Sequence, residues 1–293
     1  MNAASRDAEP EISVVIGSNG APGSVAGCLE ALELQVDGAE VIVCEPVASS
    51  EAVRTRFPWA RFETRPGALV PELWRDGIEQ SRGRIVALTI SPMRPAPDWL
   101  ATARARLEEG GAVAGAIDPG SGLRLVDWAE YFCRYARDMR PFPPHECLDL
   151  PGDNCAYRRE VLDRTRAVYR DGFWEPEVNR AARAAGVRLW HDPALVVEQG
   201  RSGGFAAFVR QRWTHGRAYG RQRGVRCSRA RNALALPLAA AVPAVLVLRT
   251  TREVLARRRH RGRLVAALPA LAVFDVAWAL GEARGRLDVL RGR

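Results

Sequence analysis

Gly83-Arg-Ile-Val-Ala-Leu-Thr-Ile-Ser-Pro-Met-Arg-Pro-Ala-Pro-Asp-Trp-Leu100 is the stretch from which the fold follows. Its first half, Ile85 to Ile90, is a nearly continuous apolar run bounded by Gly83 and Pro92, the pattern of a strand buried on both faces of a sheet. It reads as the central strand. In open α/β sheets ligands occupy the crevice outside the carboxyl ends of such strands, so Thr89 to Pro92 are expected at the site of any chemistry. The chain carries no carboxylate there.

The segments on the amino-terminal side repeat one unit. Ile12 to Ile16 is an apolar run ending in Gly17-Ser18-Asn19-Gly20, a strand followed by a turn that suits close approach of a phosphate or base. Val25, Cys28, Leu29 and Leu32 then follow at helical spacing. Val41 to Cys44 is a second strand ending at Glu45-Pro46. A short helix, a weak strand at Arg61 to Thr64 and a helix over Leu69 to Gln80, beginning around Pro71, lead back to the central strand. A helix over Asp98 to Leu107 and a strand at Ala112 to Ile117 complete a doubly wound half. Strands alternating with helices in this way specify an α/β fold with a mostly parallel sheet.

The carboxyl-terminal side is less regular. Gly120 to Gly122 reads as a loop, Leu125 to Arg137 as an aromatic-bearing helix, and Pro141-Phe-Pro-Pro144 as its break. Leu150-Pro-Gly-Asp-Asn-Cys-Ala-Tyr157 reads as a turn into a strand. The run from Gly172 to Gly186 is a well-marked helix: Pro176 suits the first helical position, Gly186 suits the position just past the end, and Val178, Ala181, Ala182 and Ala185 share one apolar face. Glu175 and Glu177 flank its start, where the helix dipole favours an ionised carboxylate by about 0.3–1 kcal/mol.

Charge and cysteine usage narrow the function. All 43 basic residues are Arg, and 20 of them lie in residues 201–293 against Glu253, Asp275, Glu282 and Asp288, so the basic character belongs to the tail. The tail interleaves Arg with apolar segments rather than with stacking aromatics, which argues against a nucleic-acid partner. Cys28, Cys44, Cys133, Cys147, Cys155 and Cys227 show no Cys-x-x-Cys spacing, so neither a zinc site nor a disulfide framework is indicated. Met1 to Glu11 is polar and acidic, with no apolar core of a secretory signal.

Taken together, Ile12 to Asn19, Val41 to Glu45, Gly77 to Thr89 (Gly-Ile-x5-Gly-x-Ile-Val-Ala-Leu-Thr), Pro95 to Leu100 and Gly172 to Gly186 resemble, in order, the segments of family 2 glycosyltransferases over residues 12–217. The resemblance implies a nucleotide-diphospho-sugar transferase fold and inverting transfer of a sugar to an acceptor hydroxyl. It assigns Gly17, Ser18 and Asn19 to the nucleotide loop, Glu45 to contact with base or ribose, and Asp153 and Asn154 to the acceptor side. The family's catalytic Glu-Asp pair falls on Phe173-Trp-Glu-Pro-Glu177, with Pro176 at the Asp position, so the general base is Glu175 or Glu177, Glu175 being preferred. Aligning Trp99-Leu100 with the family's Trp-Leu puts Ile90-Ser91-Pro92 where an Asp-x-Asp normally holds Mg²⁺ or Mn²⁺ on the diphosphate. No metal ligand and no cofactor is therefore expected. Asp98 suits capping of the following helix better. Cations must then stabilise the leaving diphosphate, and Arg212, His215 and Arg217 are the candidates, with Arg94 third.

The tail points to a membrane. Asn232 to Leu248 is uncharged and apolar, Leu264 to Gly281 is similar apart from Asp275, and Arg249 to Arg263 between them carries seven Arg and one Glu. Each segment is near the lower limit for spanning about 30 Å of hydrocarbon. The expected organisation is a disordered N-terminus (1–11), an α/β domain (12–200), a basic amphipathic segment (201–231) and a membrane-associated helical hairpin (232–293). The basic loop and the catalytic domain are expected on the same, cytoplasmic, side. Two complete spans are the alternative. The expected function is transfer of a sugar from a nucleotide-diphospho-sugar to a lipid-linked or cell-surface polysaccharide acceptor at the cell membrane. The rival readings are an inactive homologue that binds nucleotide or a partner, and a dinucleotide-dependent oxidoreductase, for which the Gly17–Gly23 segment lacks Gly-x-Gly-x-x-Gly.

Overall fold

A computed structural model describes residues 10–18, 20–21, 23–108, 110–201 and 203–292. In chain order the elements are β1 (Ile12–Gly17), α1 (Ser24–Leu32), β2 (Ala39–Glu45), α2 (Glu51–Arg56), β3 (Ala60–Thr64), α3 (Val70–Gln80), β4 (Ile85–Ile90), β5 (Met93–Pro95), α4 (Trp99–Glu108) and β6 (Ala112–Pro119). There follow α5 (Leu125–Tyr135), β7 (His145–Glu146), β8 (Asn154–Arg158), α6 (Arg159–Thr165), α7 (Glu175–Ala184), β9 (Leu189–Gln199), α8 (Phe205–Val225), α9 (Arg229–Leu238), α10 (Val242–Arg257) and α11 (Arg261–Leu290). They form two compact units. The first runs to Asp118 and includes Arg140–Gly200; the second is Pro119–Met139 with Arg201 onward.

The first unit is an α/β sheet in the order β3-β2-β1-β4-β8-β6-β9-β5, with β7 also on β9. Apolar runs with no polar alternation must be covered on both faces, and β1 and β4 are: all of β1 is buried, as is β4 from Val86 to Ile90. The two run parallel in the register Ile12↔Ile85 to Gly17↔Ile90, and β2 pairs parallel on the other side of β1. The chain therefore turns outward in opposite directions from β1 and β4, which opens a crevice at their carboxyl ends. Beyond β4 the pairing changes direction, because β8 inserts antiparallel between β4 and β6. Asn154, at the head of β8, fixes that arrangement. Its Nδ2 donates to the carbonyls of Ala116 (2.8 Å) and Leu195 (2.9 Å), and its Oδ1 accepts from Trp99 Nε1 at 2.7 Å.

The second unit is helical and includes α5, which the sequence reading had placed within the 12–200 domain. Trp128, Tyr131, Phe132 and Tyr135 of α5 are buried, and the Trp128 ring lies 4.7 Å from that of His260. The pairing of α8 with α11 combines aromatic contacts, Phe205 and Phe208 on Phe274 and Tyr219 on Trp278, with close glycine packing. A Cβ on Gly216 or Gly220 would stand 2.5 Å from the Trp278 carbonyl or 2.2 Å from that of Glu282, and one on Gly281 or Gly285 would stand 2.4 Å from Trp213 O or 2.1 Å from Arg217 O. The two backbones thus touch, as in close small-residue helix packing.

Candidate active site

The crevice is bounded by the ends of β1 and β4, by the turn Pro151–Asp153 before β8, and by the start of α7. Ser18 leaves β1 by donating its amide to Cys44 O (2.8 Å), and Ser91 leaves β4 by donating to Gly17 O (3.1 Å), so the strand ends remain aligned to the last residue. The hydroxyl of Ser24, on the first turn of α1, donates to Ser91 Oγ at 2.9 Å, and Ser18 Oγ lies 3.5 Å from Ser91 Oγ. Of the expected nucleotide loop, Asn19 lies outside the described residues.

Trp74 is the wall on which these parts meet. Its indole Nε1 donates to Thr89 O (2.9 Å), and a Cβ on Gly17 would lie only 3.1 Å from that same nitrogen. Phe173, just ahead of α7, packs edge-on against the Trp74 ring at 6.4 Å and donates its amide to Pro71 O at 2.7 Å. On α7, Asn179 donates to Leu150 O (3.1 Å) and accepts from Tyr157 Oη (2.7 Å). The start of α7 is therefore tied to α3, to the turn and to β8, which positions Glu175 through contacts distant in sequence.

The carboxylates separate in role. Glu175 faces the turn, its Oε1 accepting from the Gly152 amide at 3.3 Å. Glu177, two residues on, forms an ion pair with Arg180 on its own helix. Thr89 Oγ1 donates to the Asp153 carbonyl at 3.0 Å, which joins the turn to β4. The Cys155 thiol beneath is pushed well above its ordinary value, first by burial and then by the negative charge of Glu175 and Asp153.

Other expected site residues are placed differently. Glu45 is fully buried, with Oε1 accepting from the Ser49 amide (2.9 Å) and Arg54 (2.5 Å) and Oε2 accepting from Ser49 Oγ (2.6 Å). It braces the loop after β2. Asn154, expected on the acceptor side, has no exposed surface, and its amide is bonded to Trp99, Ala116 and Leu195, joining the sheet. In the second unit, Arg212 pairs with Asp275 (3.6 Å) and lies over the Trp278 ring (4.2 Å), and Arg217 pairs with Asp288 (2.7 Å). His215 was expected to offer a cation. Burial, with Arg134 and Arg212 nearby, lowers it from 6.5 to about 4, so the ring is neutral at pH 7.

No family model matches the chain, and no curated protein does. Solved structures do. Mannosyltransferase PcManGT from Pyrobaculum calidifontis, in complex with GDP-Man and Mn²⁺, matches with a TM-score of 0.53 and 18% identity over 96% of this chain and 88% of that one. GalNAc-T7 with UDP, GalNAc and Mn²⁺ gives 0.48 and 13% over 70% and 48% of the two chains. S. aureus TarS gives 0.46 and 11% over 68% and 38%. The fold is the glycosyltransferase A fold.

Within that fold, the position expected to hold a divalent ion does not suit one. Ile90 is apolar and buried, Pro92 offers no side-chain donor, and the Ser91 hydroxyl is engaged with Ser24. A hard ion wants oxygen ligands, and these three side chains offer it one hydroxyl at most. Sequence reasoning missed Trp74 and Gly152. Trp74 sits on the apolar face of α3 like any core residue, and only the three-dimensional meeting of Gly17, Thr89 and Gly152 distinguishes it.

Proposed function

We propose that the chain is an inverting glycosyltransferase, transferring a sugar from a nucleotide-diphospho-sugar to a hydroxyl of a lipid-linked or cell-surface polysaccharide acceptor at the cytoplasmic face of the membrane. The observation that carries this reading is the placement of Glu175 at the start of α7, facing the turn beside the β1–β4 crevice, while Glu177 is tied to Arg180. The nucleotide lies against Gly17 and Ser18 at the end of β1, beside the loop after β2 that Glu45 braces. The acceptor oxygen attacks the anomeric carbon from the side of Glu175 and Asp153. Glu175 takes the acceptor proton as the new C–O bond forms and the bond to the diphosphate breaks. The reaction uses no divalent ion at Ile90–Pro92.

Membrane association is supported by the helices of the second unit. Arg229–Arg257 and Arg261–Leu290 are each long and apolar enough to cross a bilayer. The most apolar stretch of the first has no buried residue, whereas 44% of that of the second is buried.

The experiment is calorimetric titration with UDP-, GDP- and TDP-sugars, followed by transfer assays on Glu175→Gln and Glu177→Gln. Loss of a positioned general base lowers the rate by about 10²–10⁴-fold. Glu175→Gln is expected to show that loss with donor affinity retained, and Glu177→Gln to stay near the parent rate. Near-normal transfer by Glu175→Gln removes the assignment. The replaced residues Ile90–Pro92 favour one second reading, a homologue that binds a nucleotide sugar without transferring it; donor binding with no turnover in any acceptor mixture selects that reading.

A further inference from the structure

The leaving diphosphate needs positive charge, and the cations first expected to provide it are engaged elsewhere: Arg212 with Asp275 and Arg217 with Asp288. Arg94 differs. It stands on β5, two residues past the segment where the metal-holding carboxylates would be, and among the described residues its guanidinium makes neither a hydrogen bond nor an ion pair.

The Arg94 side chain is exposed, and its guanidinium lies in a slot lined by two glycines far apart in sequence. A Cβ on Gly27, in α1, would lie 2.6 Å from Nη2, and a Cβ on Gly200, just past β9, would lie 2.2 Å from Nη1. Any side chain at either place would displace the group. The slot is stiff, because β5 pairs antiparallel with β9 and the Gly200 amide donates to Pro92 O at 2.7 Å. Gly27 lies three residues beyond Ser24 on α1, so the two share a helix face, and Ser24 in turn meets Ser91 and, through it, Ser18. A line of groups thus runs from the end of β1, through three hydroxyls, to a cation that forms no ion pair among the described residues, although Glu198 stands opposite it on β9.

We propose that Arg94 is the residue that receives the donor's diphosphate, in the place of a carboxylate-held metal ion. The proposal rests on the glycosyltransferase reading above. In the reaction the anomeric carbon exchanges its bond to the diphosphate oxygen for one to the acceptor oxygen, the acceptor proton passes to Glu175, and the negative charge left on the diphosphate is met by Arg94. The guanidinium fork suits this role because it binds two phosphate oxygens at once, and the absence of a side chain at Gly27 and Gly200 leaves it room.

The test is calorimetry in EDTA on the full chain, with UDP, GDP, uridine and guanosine as the probes. The parent is expected to bind UDP or GDP without metal. Arg94→Ala is expected to weaken the diphosphate by about tenfold or more while leaving the matching nucleoside unaffected, a charge-assisted contact being the only one removed. Arg94→Lys recovers part of the loss. Gly27→Ala keeps the charge but pushes the guanidinium from its slot, and is expected to weaken the diphosphate likewise, with thermal unfolding of each variant confirming the fold. Equal diphosphate affinity in the parent and Arg94→Ala overturns the proposal and leaves the transferase reading standing. So does a parent that binds the diphosphate only when Mn²⁺ is added. A parent that binds none of the probes, with or without Mn²⁺, overturns the transferase reading and this proposal with it.

Discussion

The Gly152 amide donates to Glu175 Oε1 at 3.3 Å, and the same glycine lies against the Trp74 ring so closely that a Cβ there would be 2.6 Å from the indole and 2.8 Å from the carboxylate oxygen. The turn, the proposed base and the wall of the crevice are thus packed on one backbone atom. Gly152→Ala must push either the indole or the carboxylate aside, and the indole is held by its bond to Thr89 O. The carboxylate is the group that moves. We expect Gly152→Ala to lower kcat while donor affinity changes little, and to cost about 1–3 kcal/mol of stability as overpacking does. Steady-state kinetics and chemical denaturation check both parts, and an unchanged kcat would separate Glu175 from the chemistry.

Asn154 joins three strands and an indole with one amide, so its removal strands several buried groups. Asn154→Ala leaves Trp99 Nε1 and the carbonyls of Ala116 and Leu195 without their partner. An unsatisfied buried polar group costs about 1–3 kcal/mol, and three share this one. The expected result is a loss of at least about 3 kcal/mol in urea unfolding. Donor affinity in the protein that remains folded is expected to be unchanged, because no Asn154 atom is exposed.

How far the sequence reveals this architecture depends on whether an element is specified locally. Strands β1, β2 and β4 are uninterrupted apolar runs closed by Gly17, Glu45 and Pro92, and each is found where those residues place it. Strand β9 was not legible: Asp192 and Pro193 break its pattern, and it holds because β5 and β7 pair with it. The insertion of β8 between β4 and β6 depends on Asn154 reaching residues 38 and 41 positions away, which periodicity does not encode. The same limit applies at the site. Glu175 was legible from the start of its helix, but its distinction from Glu177 needed Arg180 and Gly152, and the burial of Glu45 needed Ser49 and Arg54. The α8–α11 contact was visible in principle, since Gly216, Gly220 and Gly224, with Gly281 and Gly285, repeat every fourth residue.

His215 makes the helical unit sensitive to acid. Its ring is held neutral, with its folded value near 4 against 6.5 unperturbed, so between those values the unfolded chain takes up a proton that the folded chain refuses. Stability from this group is complete above pH 6.5 and falls as the pH drops toward 4. From pH 7 to pH 5 the loss is expected to be about 1–2 kcal/mol. His215→Gln should remove that part of the slope while leaving the carboxylate part. Parallel urea titrations of the two proteins at pH 7 and pH 5 make the comparison, and identical slopes would mean that the ring is solvated.

The proposed membrane attachment rests on helix length and on the exposure of apolar side chains. Leu234, Leu238, Val245 and Leu248 are 64%, 59%, 60% and 60% exposed, and their spacings of four, seven and three place them on one stripe of the α9–α10 segment. A stripe of that kind is costly in water and stable in lipid. The uncharged run from Asn232 to Leu248 would extend about 26 Å as helix, near the lower limit for a hydrocarbon core of about 30 Å. The turn after it holds Arg257, Arg258 and Arg259, with Arg261 and Arg263 opening α11, and Asp275 lies midway along that helix. Carrying five guanidinium groups across the bilayer opposes the positive-inside tendency, whereas a shallow hairpin leaves them at the anionic surface, each worth about 1 kcal/mol. The expected topology therefore keeps the 257–263 turn on the same side as the catalytic unit. Labelling an Arg259→Cys variant in sealed vesicles with a membrane-impermeant thiol reagent decides the matter, once the native cysteines have been replaced. A label that reacts from the side where the α/β unit is protease-sensitive supports the hairpin, and one that reacts only from the opposite side shows a full span and removes it.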